Sequence, residues 1–133
     1  MVYFADTWFW IALINKKDSG HDAAKRLQGE VGDKIVTSQL VLVELLAACS
    51  KIPLLRKLVV DLKQRLNEGP IRVIANSPEM FERAFEVYAK FTDKQWSLVD
   101  CASFEMMRDE NLTEALTNDS HFEQAGFVIH NSV

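Results

Sequence analysis

Apolar residues along the chain fall into short unbroken runs separated by longer stretches of helical period, and this alternation predicts a series of strands and helices. Val2 to Ala5 is wholly apolar, with β-branched and aromatic character, as expected of a strand buried on both faces of a parallel sheet, and Thr7 to Ile14 follows as a helix. Asn15 to Gly20 is polar and turn-like. His21 to Val31 places Ala24, Leu27 and Val31 at helical spacing, with His21 expected to be solvated at the start. Lys34 to Ser38 predicts a strand around Ile35 and Val36, and Gln39 to Ser50 is too long and too rich in Leu and Ala for anything but a helix. Pro53 suits the first turn of the next helix, Leu54 to Asn67, whose stripe is Leu54, Leu55, Leu58, Leu62 and Leu66. Glu68-Gly69-Pro70 ends it, Ile71 to Ala75 predicts a third strand, and Ser77-Pro78-Glu79 opens a helix to about Phe91.

After the polar loop Thr92 to Gln95, the stretch from Trp96 to Met107 is the start of a further helix. Ser97 and Asp100 have capping-box spacing, the apolar set Leu98, Cys101, Phe104 and Met107 follows, and the pattern fades by Asn111. Glu114 to Thr117 predicts a short strand, Ser120 to Gln124 a short helical segment, and Phe127 to Ile129 a final strand. Strands alternating with helices throughout predict an α/β fold with a central, mainly parallel sheet between helical layers.

At 133 residues and 48% hydrophobic content, with no Gly/Ser/Pro-rich linker, the expected organisation is a single domain, 1–133. The net charge of -4 argues against affinity gained by blanketing nucleic acid with positive charge, yet it suits a carboxylate site that is locally negative until cations occupy it. Cys49 and Cys101 both lie in apolar helical patterns, without Cys-x-x-Cys spacing, and are expected to be reduced core residues. No basic flank precedes the N-terminal apolar run, and Glu44 interrupts the longest apolar segment, Leu40 to Cys49. Neither a signal peptide nor a membrane span is expected, and the cytoplasm is the expected location.

Four acids carry the candidate chemistry. Asp6 follows the first strand directly and Asp119 follows the Glu114–Thr117 strand, where the reactive crevice of an open α/β sheet lies. Glu44 sits in a helix that is apolar on nearly every face, so it is expected to be buried, and a buried carboxylate is costly unless paired or metal-bound. Asp100 lies in the first turn of its helix. Three have a plainer reading, as a helix cap for Asp6 and Asp100 and as an ion pair for Glu44. His121, beside Asp119, is a candidate ligand or proton carrier, with packing or capping the expected role. An all-oxygen set without Cys or His at zinc spacing suits Mg²⁺ or Mn²⁺, and the reaction that most needs such a set is phosphoryl transfer to water.

The ordered segments Ala5-Asp6-Thr7, Val43-Glu44-Leu45, Ser97-Leu98-Val99-Asp100-Cys101-Ala102-Ser103-Phe104 and Leu116-Thr117-Asn118-Asp119-Ser120-His121-Phe122 resemble a PIN domain of the VapC toxin type, across essentially the whole chain. The resemblance implies a three-layer α/β/α PIN-like fold and a Mg²⁺- or Mn²⁺-dependent ribonuclease with Asp6, Glu44, Asp100 and Asp119 around the metals. It also implies an RNA substrate, a homodimer and a small antitoxin protein that occupies the site. Two positions depart from that pattern. Val99 stands where many such chains have Thr, removing a hydroxyl beside Asp100, and Trp8 stands where they have a small residue, at the entrance or the dimer face.

Lys16, Lys17, Lys94 and Arg108 are candidates for a basic rim around the acidic centre. The alternative to an enzyme is a catalytically inactive binding module acting through protein partners. A phosphatase that uses Asp6 as nucleophile would want a second Asp where Trp8 stands, and glycine-rich nucleotide-binding motifs are absent.

Overall fold

A computed structural model describes residues 1–132. Its elements run β1 (Tyr3–Ala5), α1 (Thr7–Ile14), α2 (His21–Val31), β2 (Ile35–Ser38), α3 (Gln39–Ala48), α4 (Pro53–Glu68), β3 (Arg72–Ile74), α5 (Pro78–Lys90), α6 (Leu98–Asp109), β4 (Glu114–Leu116), α7 (Ser120–Gln124) and β5 (Val128–His130). The local signals act as expected at the helix starts. Ser38 and Ser77 accept hydrogen bonds from the amides of Val41 and Met80 at 3.0 and 3.1 Å, and Pro53 and Pro78 occupy first turns, where a missing N–H costs nothing. Ser97 and Asp100 form a complete capping box.

The five strands make one all-parallel sheet in the order β3-β2-β1-β4-β5. Steps from β1 to β2 to β3 run one way across the sheet, while β3 to β4 to β5 runs the other. Right-handed crossovers therefore place α1 to α4 on one face and α5 to α7 on the opposite face, in agreement with the packing of α1 on α2, α3 and α4 and of α6 on α5 and α7. This is the three-layer α/β/α arrangement. The core is centred on Phe4 and Ala5 of β1, with Phe9 and Trp10 on one side and Phe104 on the other, where the ring of Phe104 meets Trp96 and Phe122 edge-on at 5.1 and 5.0 Å. Thr37, fully buried, donates to the Ala5 carbonyl at 2.8 Å and accepts from the Trp10 indole at 3.2 Å, so the polar atoms in this layer are paired. Cys49 and Cys101 are buried free thiols.

Three packing expectations are corrected. α3 is not enclosed: it buries Val41, Leu42 and Leu45, but Val43 and Leu46 are 57% and 39% exposed, because α1, α4, α6 and β2 together leave its outer side uncovered. Along α4 the buried set is Val59, Leu62 and Leu66, and Leu54 lies in solvent. His21 is partly buried, and its Nδ1 lies 2.8 Å from the Ala12 carbonyl, tying α2 to α1. Among the described residues no helix is long and apolar enough to cross a membrane.

Gly29 lies inside α2 with open space where a Cβ would project. Gly29→Ala should therefore stabilise the protein by about 0.5–1 kcal/mol through reduced unfolded-chain entropy, read from denaturant midpoints at unchanged slope.

Candidate active site

The sheet order reverses between β1 and β4, and in open α/β sheets the crevice beyond the strand ends at such a reversal is where ligands bind. All four candidate acids come from segments next to that point. Asp6 immediately follows β1, Asp119 precedes α7 in the loop after β4, Asp100 lies in the first turn of α6, and Glu44 sits midway along α3.

Asp6 occupies the N-cap position of α1 with extended backbone, yet its side chain makes no capping bond there. It accepts instead from the Thr117 hydroxyl at 2.9 Å. That same hydroxyl oxygen accepts the Asp119 amide at 3.0 Å, so Thr117 joins the two strand ends. Glu44 is partly buried rather than enclosed, and it accepts from the Thr7 hydroxyl at 2.5 Å; none of the four acids pairs with Lys or Arg among the described residues. The ion-pair reading of Glu44 therefore does not hold.

Asp100 does cap its helix: its Oδ2 accepts the Ser97 amide at 3.0 Å. The same Oδ2 lies 2.9 Å from Nδ1 of His121, and that nitrogen is 3.3 Å from Oδ1 of Asp119. Asp119 also caps α7 through the His121 amide at 2.9 Å. Facing two carboxylates, Nδ1 is assigned the ring proton, since acceptor-only oxygens surround it. Ligand atoms of Asp100, Asp119 and His121 all lie within 4.8 Å of one another. Asp6 and Glu44 stand outside this tight trio but are coupled to it through charge.

That coupling shows on Asp6, whose carboxyl is pushed from 3.8 up to about 7. Burial is the main cause, repulsion from Asp100 and Glu44 adds to it, and the Thr7 amide and Thr117 hydroxyl oppose it. Among the described residues no Lys or Arg offsets the carboxylates gathered here. Hard oxygen donors crowded in this way fit a divalent cation such as Mg²⁺ or Mn²⁺.

His121 is the member the sequence reading set aside. Its signal was the Asp119-x-His121 spacing across a helix start, which Phe122, fully buried, explained equally well as packing. With Val at position 99, Asp100 takes its bonds from Ser97 and His121, while the Val99 carbonyl accepts from Ser103 at 2.8 Å. Trp8 is partly exposed beside the start of α2, where a Cβ on Gly20 would come within 2.9 Å of its ring.

The expected basic rim is largely dispersed. Arg108 lies at the opposite end of α6 from Asp100, about 12 Å away along the helix axis. There it pairs with Glu105 at 3.0 Å and lies over the Phe127 ring. Lys16 and Lys17 line an apolar cleft with Ile52, Leu54, Leu55 and Leu58. Lys94 alone borders the site's own side of the molecule, three residues before Ser97.

Fold and site together define an all-parallel α/β domain with a carboxylate cluster at its topological switch point. The chain belongs to the PIN domain family, whose model matches residues 3–128. It is 34% identical over 125 residues to the 23S rRNA-specific endonuclease VapC20 of Mycobacterium tuberculosis, covering 94% of this chain and 95% of that protein. The crystal structure of M. tuberculosis VapC20, described as a Sarcin-Ricin loop cleaving toxin, superposes with a TM-score of 0.86 at 31% identity, over 95% of this chain and 96% of that one. VapBC2 from Rickettsia felis, solved on a DNA fragment from its promoter, shares the fold with a TM-score of 0.73 at 20% identity over the whole of both chains.

Proposed function

We propose that this chain is an endoribonuclease of the VapC toxin type that depends on Mg²⁺ or Mn²⁺, held by Asp6, Glu44, Asp100 and Asp119. The observation that carries the reading is the convergence of four acids, without a Lys or Arg partner among the described residues, at the sheet's switch point. Its support from relatives is the 34% identity to an endonuclease specific for 23S rRNA, over nearly the full length of both chains.

Bound divalent cations supply an activated water and charge stabilisation on the leaving oxygen in phosphodiester hydrolysis. The protein's part is to hold the oxygens in place. The capping box fixes Asp100, Thr117 orients Asp6 relative to Asp119, and Thr7 fixes Glu44. His121 spans Asp100 and Asp119 and keeps their oxygens at a set separation. Burial of Asp6 keeps competing water from screening the cluster.

The partners follow the same reading: an RNA substrate in the cytoplasm, a homodimer, and a small antitoxin protein. The exposed Val43 and Leu46 of α3 supply apolar surface of the kind a protein partner covers, and VapBC complexes are among the structures sharing this fold.

Purified protein should cut RNA in Mg²⁺ or Mn²⁺ and stop in excess chelator. Its products should carry 5′-phosphate and 3′-hydroxyl ends, because water attacks phosphorus. Cleavage that persists in chelator, or ends in a 2′,3′-cyclic phosphate, refutes the metal–water mechanism.

A further inference from the structure

Between α5 and the start of α6 lies a cleft of about 500 Å³, within the range of about 300–1,000 Å³ that holds small ligands. Its walls include Tyr88, Phe91 and Trp96, and its rim includes Thr92, Gln95 and Ser97. Ser97 makes the cleft continuous with the acidic site, since its amide donates to Asp100 Oδ2 at 3.0 Å while the residue itself lines the cleft. Whatever occupies the cleft is therefore a close neighbour of a phosphate held at Asp100.

The walls are built to stay open. Trp96 is fixed by its indole N–H to Gln124 Oε1 at 2.9 Å and by the edge of Phe104 at 5.1 Å, and Phe91 leans on it with ring centres 5.1 Å apart. Tyr88, by contrast, is 52% exposed, an aromatic face left in solvent. The side chains of Thr92 and Gln95 are exposed and make no hydrogen bond among the described residues, so a hydroxyl and a carboxamide, both able to donate and accept, remain available. Lys94, which lines the cleft, has Asp93 at 3.5 Å, and the Lys90 ammonium lies over the Phe91 ring, 5.5 Å from its centre. An open aromatic face beside exposed donor–acceptor groups that have no protein partner among the described residues suits an unpaired nucleobase, and single-stranded RNA is read through stacking and base-edge hydrogen bonds of this kind.

We infer that this cleft receives the unstacked base flanking the cleaved phosphodiester, with Tyr88 as the stacking surface and Gln95 reading the base edge. The inference rests on the ribonuclease reading. Its test uses the full chain in Mn²⁺ with a pool of ribosomal RNA and RNAs carrying a random-sequence segment, and 5′-end sequencing of the products. Wild type should show a base bias at a position adjoining the cut, and Gln95→Ala should flatten it at that position alone. On the RNA most often cut, Tyr88→Ala should raise KM by about tenfold with kcat within about twofold, the loss expected of one stacked base. Both residues are exposed or line the rim, so folding is retained, as circular dichroism would confirm. Cleavage with no adjoining base bias, or variants that keep the wild-type bias and KM, overturns the cleft assignment while leaving the nuclease intact. A wild type that cuts no RNA refutes the nuclease reading, and the cleft assignment falls with it.

Discussion

Asp100→Asn and Glu44→Gln should each lower RNA cleavage by at least about a hundredfold while leaving the protein folded, since even residues that only support metal ligands cost about 10–100-fold when replaced. The choice of amides separates two roles that Asp100 plays at once. Its Oδ2 accepts the Ser97 amide as part of the capping box, and an Asn oxygen still accepts there, so the helix start is retained at a cost of a few tenths of a kcal/mol. Gln at position 44 likewise keeps an acceptor for the Thr7 hydroxyl. What both variants lose is charge. A variant that cleaves at the wild-type rate would return that residue to its plain structural role, Asp100 as a cap and Glu44 as a partner for Thr7.

Asp6→Asn should raise the stability of the metal-free protein, and the sign follows from the raised carboxyl. Asp6 titrates near 7 in the folded chain against 3.8 in the unfolded one, so between these values the folded state holds the proton more tightly. Metal-free stability therefore falls as pH rises from about 4 through 7, and is flat above, where both states are ionised. A displacement of this size corresponds to at most about 4 kcal/mol, and loss of part of the Thr117 bond brings the expected gain for Asp6→Asn at pH 8 to about 2 kcal/mol, or roughly 6–10 °C in Tm. Near pH 4 the gain should vanish. Added Mn²⁺ should shrink this gain at pH 8, because a cation that binds the folded wild type more tightly than the folded variant stabilises the wild type more. Melting curves across this pH range, with and without Mn²⁺, read all three effects; a variant less stable than wild type at pH 8 without metal would show that attraction to its surroundings outweighs the burial and repulsion that oppose the Asp6 charge.

The topology was legible because local signals agreed with one another. Ser38, Ser77 and Ser97 cap the helices that their spacing marks, Pro53 and Pro78 open theirs, and the apolar runs of β1 and β2 are the inner strands of a sheet covered on both faces. Failures came where burial depends on what packs from outside the segment. Leu-rich α3 looked enclosed, yet Val43 and Leu46 face solvent, and periodicity alone cannot tell a core face from an apolar surface. Glu44 was singled out on that mistaken enclosure, and what brings it to the site is the Thr7 hydroxyl from another element. His121 escaped because its partner Asp100 is far away in sequence, and a lone His beside a helix start has many plain uses. Charge along the chain misled in the same way: Arg108 follows Asp100 on one helix, but helix length carries it to the opposite end.

Whether Asp6, Glu44, Asp100 and Asp119 form one divalent-cation site can be read from calorimetric titration of Mn²⁺ into chelator-stripped protein, wild type beside Asp6→Asn, Glu44→Gln, Asp100→Asn and Asp119→Asn. Wild type should bind saturably, and each variant should lose at least about tenfold in affinity. Wild-type protein that takes up neither Mn²⁺ nor Mg²⁺, or affinity unchanged across all four variants, would contradict a shared site.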